Sequence, residues 1–138
     1  RADLVLCLHF DGFLRPQARG ITAYVPPATY ASASEGDGRV APVVLVPWRD
    51  AATRFAVPSR ELAEELLNAC ELRGLGPTRL RETLPYALMG VNSPGVMLEC
   101  GMLTSSADRQ RLATPRGIAD LASAIADALV SYQRMERR

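Results

Sequence analysis

Residues 3–10, DLVLCLHF, form a nearly continuous apolar run that Asp11-Gly12 closes with turn chemistry. Without an alternating pattern, such a run suits a central strand covered on both faces. A strand of that kind needs neighbouring strands and covering helices. The rest of the chain supplies both in alternation, which argues for an α/β layered fold.

Residues 20–25 (GITAYV) read as a second strand, stopped by Pro26-Pro27. Residues 28–41 are rich in Ala, Ser and Gly, lack periodicity and read as a surface loop. Val43 to Val46 reads either as an edge strand or as a buried loop. A helical region begins near Trp48, with a break expected at Pro58 and an N-cap at Ser59. Leu62, Leu66 and Cys70 recur there at helical spacing, and Gly74 and Gly76-Pro77 close the helix. Val96 to Glu99 reads as a short strand, and Ser106 to Leu112 as a short helix ending before Pro115. Over residues 116–134, Ile118, Leu121, Ala122, Ile125, Leu129 and Tyr132 form one apolar stripe.

At 138 residues the chain fits one domain with a real core. Its formal net charge of +1 gives no global field of the kind that nucleic acid or an anionic membrane would call for. No apolar run reaches the length of a membrane span, and no signal peptide is recognisable. The cysteines at 7, 70 and 100 are odd in number and form no CxxC, which argues against a disulfide framework. The start at Arg1, almost directly in a strand, reads as that of a fragment or a processed product.

Two residues stand out chemically. His9 is the single histidine and sits at the carboxyl end of the first strand, where ligands gather in open α/β sheets. It reads either as a metal ligand or base, or as a satisfied core histidine. Glu99 ends the apolar run Val96-Met97-Leu98. There it is either a partly desolvated acid/base group or a salt-bridged strand-end carboxylate.

The surrounding segments favour the functional readings. DLVLCLHFDG followed by ARGITAYV resembles the segment of the zinc-dependent N-acetylmuramoyl-L-alanine amidases in which a strand delivers a zinc-binding histidine. WRDAATRFAVPSRELAEELL resembles the helix of that family through Trp48, Ser59, Leu62 and Ala63. GVNSPGVMLECGMLTSSADRQRL resembles its glutamate signature through Asn92, Pro94, Glu99, Gly101, Leu103 and Asp108. The resemblance implies a three-layer sandwich with a mixed, mainly parallel sheet flanked by helices. It implies a single amidase-like catalytic domain over residues 1–138 that lacks the family's N-terminal strands. It also implies hydrolysis of the amide between N-acetylmuramic acid and L-alanine in peptidoglycan, outside the cytoplasmic membrane. His9 would be a zinc ligand, and the zinc would acidify a water and polarise the amide carbonyl. Glu99 would take that water's proton and pass it to the leaving amine.

A catalytic zinc takes three protein ligands and a water. In the family the other ligands come from segments preceding this first strand, so the expected zinc site is incomplete here. The missing ligands would lie in an upstream segment, come from another chain, or be absent. In the last case the chain is a catalytically dead, amidase-like module that binds cell-wall material or a protein partner. Loss of the preceding strands would expose the edge of the His9 strand and favour a homodimer. Cys7 shares the face of His9 but reads as packing, as does Cys100. Arg15, Arg19 and Arg79 read as solvated surface residues or as partners for peptide carboxylates. Trp48 reads as a cap on the core, with stacking on a sugar ring as the alternative for it and for Tyr30.

Overall fold

The structure is a computed structural model and describes residues 2–12, 18–28 and 47–137. At its centre lies a mixed four-stranded sheet of β1 (Val5–Asp11), β2 (Ile21–Val25), β3 (Thr78–Glu82) and β4 (Gly95–Met102), in the order β1-β4-β2-β3. The β1/β4 and β2/β3 pairs are parallel, and the β2/β4 pair is antiparallel. This is the mixed, mainly parallel sheet flanked by helices that the sequence leads one to expect.

Alternation along each strand decides which side chains meet the helices. Ile21, Ala23 and Val25 of β2 and Val96, Leu98 and Cys100 of β4 share one buried core with helices α1 (Ala56–Leu72) and α3 (Pro115–Glu136). From α1 it takes Leu62, Ala63, Leu66 and Cys70, and from α3 Leu121, Ala124, Ala128 and Tyr132. The other face of the sheet carries Thr22 and Tyr24 of β2, Met97 and Glu99 of β4, and Cys7 and His9 of β1.

Several local features differ from the sequence reading. Among the described residues β1 pairs only with β4, so it is not the central strand its apolar run suggests but the exposed edge expected of the His9 strand, with Leu8 52% and Phe10 45% exposed. A continuous apolar run looks the same whether the strand is central or lies at an edge waiting to be covered. Strand β3 was not anticipated, because TRLRE offers a single apolar side chain, Leu80, to the core. Val43 to Val46, and all of the 28–41 loop except Ala28, lie outside the described residues.

Helix α1 begins three residues before Ser59, directly after a 3-10 helix over Trp48–Phe55. Pro58 stands in its first turn, where a missing N–H costs no intrahelical bond. Ser59 is no cap. It is buried, and its Oγ accepts from the Gly95 N–H at 2.9 Å, pinning the start of β4 to α1. The far end of α1 closes as expected. Gly74, at φ +67°, donates to the Glu71 carbonyl at 2.8 Å, and Leu75 donates to that of Cys70 at 3.0 Å.

In α3 the buried stripe is Gly117, Leu121, Ala124, Ala128 and Tyr132, while Ile118 and Ala122 are exposed. Ile125 and Leu129 pack against the same core, as the stripe leads one to expect, while the small residues Gly117, Ala124 and Ala128 set the closest approach. Thr114 caps this helix, its Oγ1 accepting from the Gly117 N–H at 3.0 Å ahead of Pro115 at the first turn. Trp48 does not cap the core. It is 74% exposed, with its indole lying against Gly90.

The entrance to β2 is the tightest backbone contact near the sheet's working end. Gly20 has φ +88°, and a Cβ placed there would stand 2.0 Å from the carbonyl oxygen of Pro77. Gly20→Ala is therefore expected to destabilise the fold by about 2–5 kcal/mol through backbone strain and overpacking. Urea unfolding should show a lower midpoint at unchanged slope; an unchanged midpoint would mean that the contact relaxes without cost.

Candidate functional site

His9 and Glu99 lie far apart in sequence, yet β1 and β4 place them directly opposite each other in parallel register. Paired residues project to the same face, so the imidazole and the carboxylate stand side by side on the face turned away from the α1/α3 core. Immediately beyond them the ladder is irregular. Asp11 pairs with Met102, so β4 spends one residue more than β1 between the two pairs. That is a β-bulge, a device common beside active sites because it re-aims side chains. Gly101 lies in it at φ +155°, and a Cβ there would meet Leu112 and Arg111 side-chain atoms at 3.1 and 3.2 Å.

Glu99 is 5% exposed, and its Oε2 is buried without a hydrogen-bond partner among the described residues. A bare carboxylate oxygen away from water disfavours ionisation. Burial accordingly pushes the Glu99 carboxyl above its ordinary value; the Asp11 carboxylate adds to the rise, and His9 pulls against it. His9 and Asp11 are both exposed at the surface end of this group. The arrangement is thus a desolvated acid/base group reachable beside an imidazole.

Helix α2 (Ser106–Leu112) holds this geometry from the side. Asp108 is buried, and its Oδ2 accepts from the N–H of Gly20 at 2.8 Å and from that of Met102 at 2.9 Å. One oxygen thereby ties the start of β2 to the end of β4, just beyond the Thr22–Glu99 pair. Arg111 extends the clamp. Its Nη1 donates to the Leu75 carbonyl at 2.5 Å and its Nη2 to the Cys100 carbonyl at 3.2 Å, and Nη2 lies 3.6 Å from Asp108 Oδ1. Ser105 caps α2, its Oγ accepting from the Asp108 N–H at 3.3 Å. The sequence marked Asp108 only as a matching position and gave no sign of Arg111; only the fold shows what they grip.

The remaining candidates separate cleanly. Cys7 is half-buried on the His9 face, opposite Met97. Cys100 and Cys70 lie in the core, where burial pushes their thiols up to about 12 and about 11. Neither is a thiolate at neutral pH, which fits packing. Arg19 and Arg79 are both exposed, and Arg79 Nη1 donates to the Arg19 carbonyl at 2.8 Å. Arg15 and Tyr30 lie outside the described residues. Among the described residues no group of three or more His, Cys, Asp or Glu could hold a metal ion. One imidazole beside a carboxylate suits the margin of a zinc site, but these residues alone do not supply the three ligands that a catalytic zinc takes.

A mixed α/β sheet whose strand ends present a histidine beside a buried glutamate defines a class that the family comparison then specifies. The family described as N-acetylmuramoyl-L-alanine amidase matches residues 1–131, and the chain belongs to it. Among curated proteins nothing matches. Among solved structures, the N-acetylmuramyl-L-alanine amidase Ami1 of Mycobacterium smegmatis superposes with a TM-score of 0.67 at 20% identity, over 96% of this chain and 54% of its own. An amidase of Clostridium difficile 630 gives 0.68 at 18%, over 96% and 59%. The catalytic domain of CwlV from Bacillus (Paenibacillus) polymyxa gives 0.64 at 18%, over 96% and 59%. These likenesses establish the fold, and the chain spans a little over half the length of each.

Two outcomes test this geometry. Since the folded-state value of Glu99 is raised, the native protein binds more protons than the unfolded chain above the ordinary carboxyl value of 4.5. Stability is then lost as pH rises from that value toward the folded one. In metal-free buffer, Glu99→Gln should raise the melting temperature at pH 7 and lose its advantage toward pH 3; an equal effect at both would contradict the burial cost. Asp108→Ala leaves two N–H groups without their acceptor and Arg111 without its neighbouring carboxylate, and should cost about 3–5 kcal/mol in urea unfolding. A loss below about 1 kcal/mol would mean that water replaces the carboxylate.

Proposed function

We propose that this chain forms part of a cell-wall hydrolase that cuts the amide between N-acetylmuramic acid and L-alanine in peptidoglycan. The observation that carries the reading is the buried, unpartnered Oε2 of Glu99 standing in register with His9. In this reading Glu99 is the general base, taking the proton of the attacking water and returning it to the leaving amine. Burial raises the Glu99 carboxyl above its ordinary value, which strengthens it as a proton acceptor. Burial also keeps stray water from the proton's path. His9 contributes one nitrogen ligand to a zinc ion, with the other ligands coming from outside the described residues. The substrate places the protein outside the cytoplasmic membrane, periplasmic or extracellular. No helix of the described residues is long and apolar enough to cross a membrane.

A second reading keeps the fold without the chemistry: a module that binds cell-wall material or a protein partner without cutting. It is favoured by the want of a three-ligand group among the described residues. One experiment separates the two. Zinc stoichiometry of the chain is measured beside His9→Ala, and release of free stem peptide from a soluble muramyl peptide is measured beside Glu99→Gln. The hydrolase reading expects zinc lost with His9 and a rate reduced about 10²–10⁴-fold in Glu99→Gln. Peptide binding without release, in zinc-supplied protein, would leave the binding module.

A further inference from the structure

One buried side-chain oxygen besides Glu99 Oε2 has no hydrogen-bond partner among the described residues: the hydroxyl of Tyr132. Tyr132 belongs to the inward stripe of α3 and is 4% exposed. A buried tyrosine ordinarily gives its hydroxyl a partner, because an unmet polar atom away from water costs stability. Burial pushes this phenol up to about 12, and the Glu136 and Glu61 carboxylates add to the rise. Glu136 stands one helical turn on from Tyr132 and acts on the hydroxyl without reaching hydrogen-bond geometry.

Tyr132 lines a groove at the amino end of the β1/β4 pair, the opposite end from His9 and Glu99. A cavity of about 660 Å³ lies between Leu4, ahead of β1, and Leu129, Val130 and Tyr132 of α3. A second, of about 520 Å³, is walled by Phe55 and by Asn92-Ser93-Pro94 ahead of β4. Asp3 and Glu136 line both, so the two carboxylates stand where the cavities adjoin. Both are exposed, and neither is in an ion pair among the described residues. Arg137 also lines the larger cavity without pairing with either.

We infer that this groove binds an aliphatic ammonium group, held by the Tyr132 hydroxyl and the carboxylates of Glu136 and Asp3, with its carbon chain along Leu4, Leu129 and Val130. A neutral phenol oxygen and two unpaired carboxylates form a set of acceptors, and an ammonium carries three donors and no acceptor. Its compact charge can meet acceptors contributed by two separate elements, whereas a planar guanidinium fork suits a single carboxylate. The apolar wall covers a methylene stem as core side chains cover those of lysine. A bare metal ion fits less well, since no group of three or more His, Cys, Asp or Glu among the described residues could hold one. A free diamine and a lysine side chain present the same group. The site is remote from Glu99 and does not depend on amide hydrolysis there.

The test follows backbone amide resonances of the whole chain at low salt during titration with 1,5-diaminopentane, with Nα-acetyl-lysine methylamide, and with 1-pentanol as the uncharged control. Saturable shifts at Leu129, Val130 and Gln133 are expected with an amine and not with the alcohol, and added salt should weaken them. Tyr132→Phe keeps the ring and removes only the hydroxyl, and Glu136→Gln removes one exposed charge. Each should weaken amine binding about tenfold, the size of one charge-assisted hydrogen bond. Without amine, Tyr132→Phe should melt no lower than the unaltered chain, because it deletes an unbonded oxygen. Saturation by the diamine alone assigns the group to free amines, and saturation by the lysine compound assigns it to a polypeptide side chain; either supports the site. No saturable shift with either amine, equal shifts with pentanol, unchanged affinity in Tyr132→Phe, or a clear fall in its melting temperature would overturn it.

Discussion

One carboxylate oxygen fixes the working end of this sheet. Asp108 Oδ2 accepts from the N–H of Gly20, where β2 begins, and from that of Met102, where β4 ends. Because β2 and β4 are antiparallel, those two termini lie at the same edge. A buried carboxylate is expensive to desolvate, and two N–H donors with Arg111 nearby are what make it tolerable. The Gly20 backbone must then pass against Pro77 with no side chain between them. The β2 entrance, the β4 exit and helix α2 are thus parts of one joint, and Glu99 sits just inside it.

The same fold treats its second buried carboxylate in the opposite way. Asp108 is saturated with donors, whereas Glu99 keeps an oxygen bare. The contrast is one of solvation and charge. A saturated carboxylate gains from being charged and holds its neighbours in place. A buried one without donors gives up part of its preference for the charged form, as burial does to Glu99. Asp108 and Arg111 grip Met102 and Cys100 by backbone atoms, which leaves the Glu99 side chain free while fixing the strand that carries it.

Much of the fold is legible in the sequence, and the failures have physical reasons. β2, β4, α1, α2 and α3 announce themselves through apolar runs, helical spacing and end signals such as Gly74 and Pro115. β3 hides because its core contact is one leucine and its other contacts with α1 are polar, through Thr78 and Glu82. The apolar run of β1 does not itself reveal an edge, because apolarity reports a need for cover and not its presence; the exposed edge is expected only from the family resemblance. Ser59 looks like a cap since hydroxyls favour helix starts, but its partner is a strand amide distant in sequence. Within the site, a carboxylate ending an apolar run flags Glu99. Its opposition to His9 requires the β1/β4 register, which no local pattern encodes. The grip of Asp108 and Arg111 is tertiary throughout.

The mixed directions of the strands decide which side chains meet at this edge. β1 and β4 are parallel, so both present their carboxyl ends there, bringing His9 and Glu99 together with the bulge at Gly101. β2 and β3 run the other way and enter at that edge by their amino ends, bringing Gly20, Thr22 and Arg79. In an all-parallel sheet the last two strands would offer their exits there instead, Val25 and Glu82. Reversing them places Arg79 in line with His9 and Glu99 and keeps Glu82 paired to α1 at the far end. Positive charge is thereby concentrated on one side of Glu99 and the imidazole on the other.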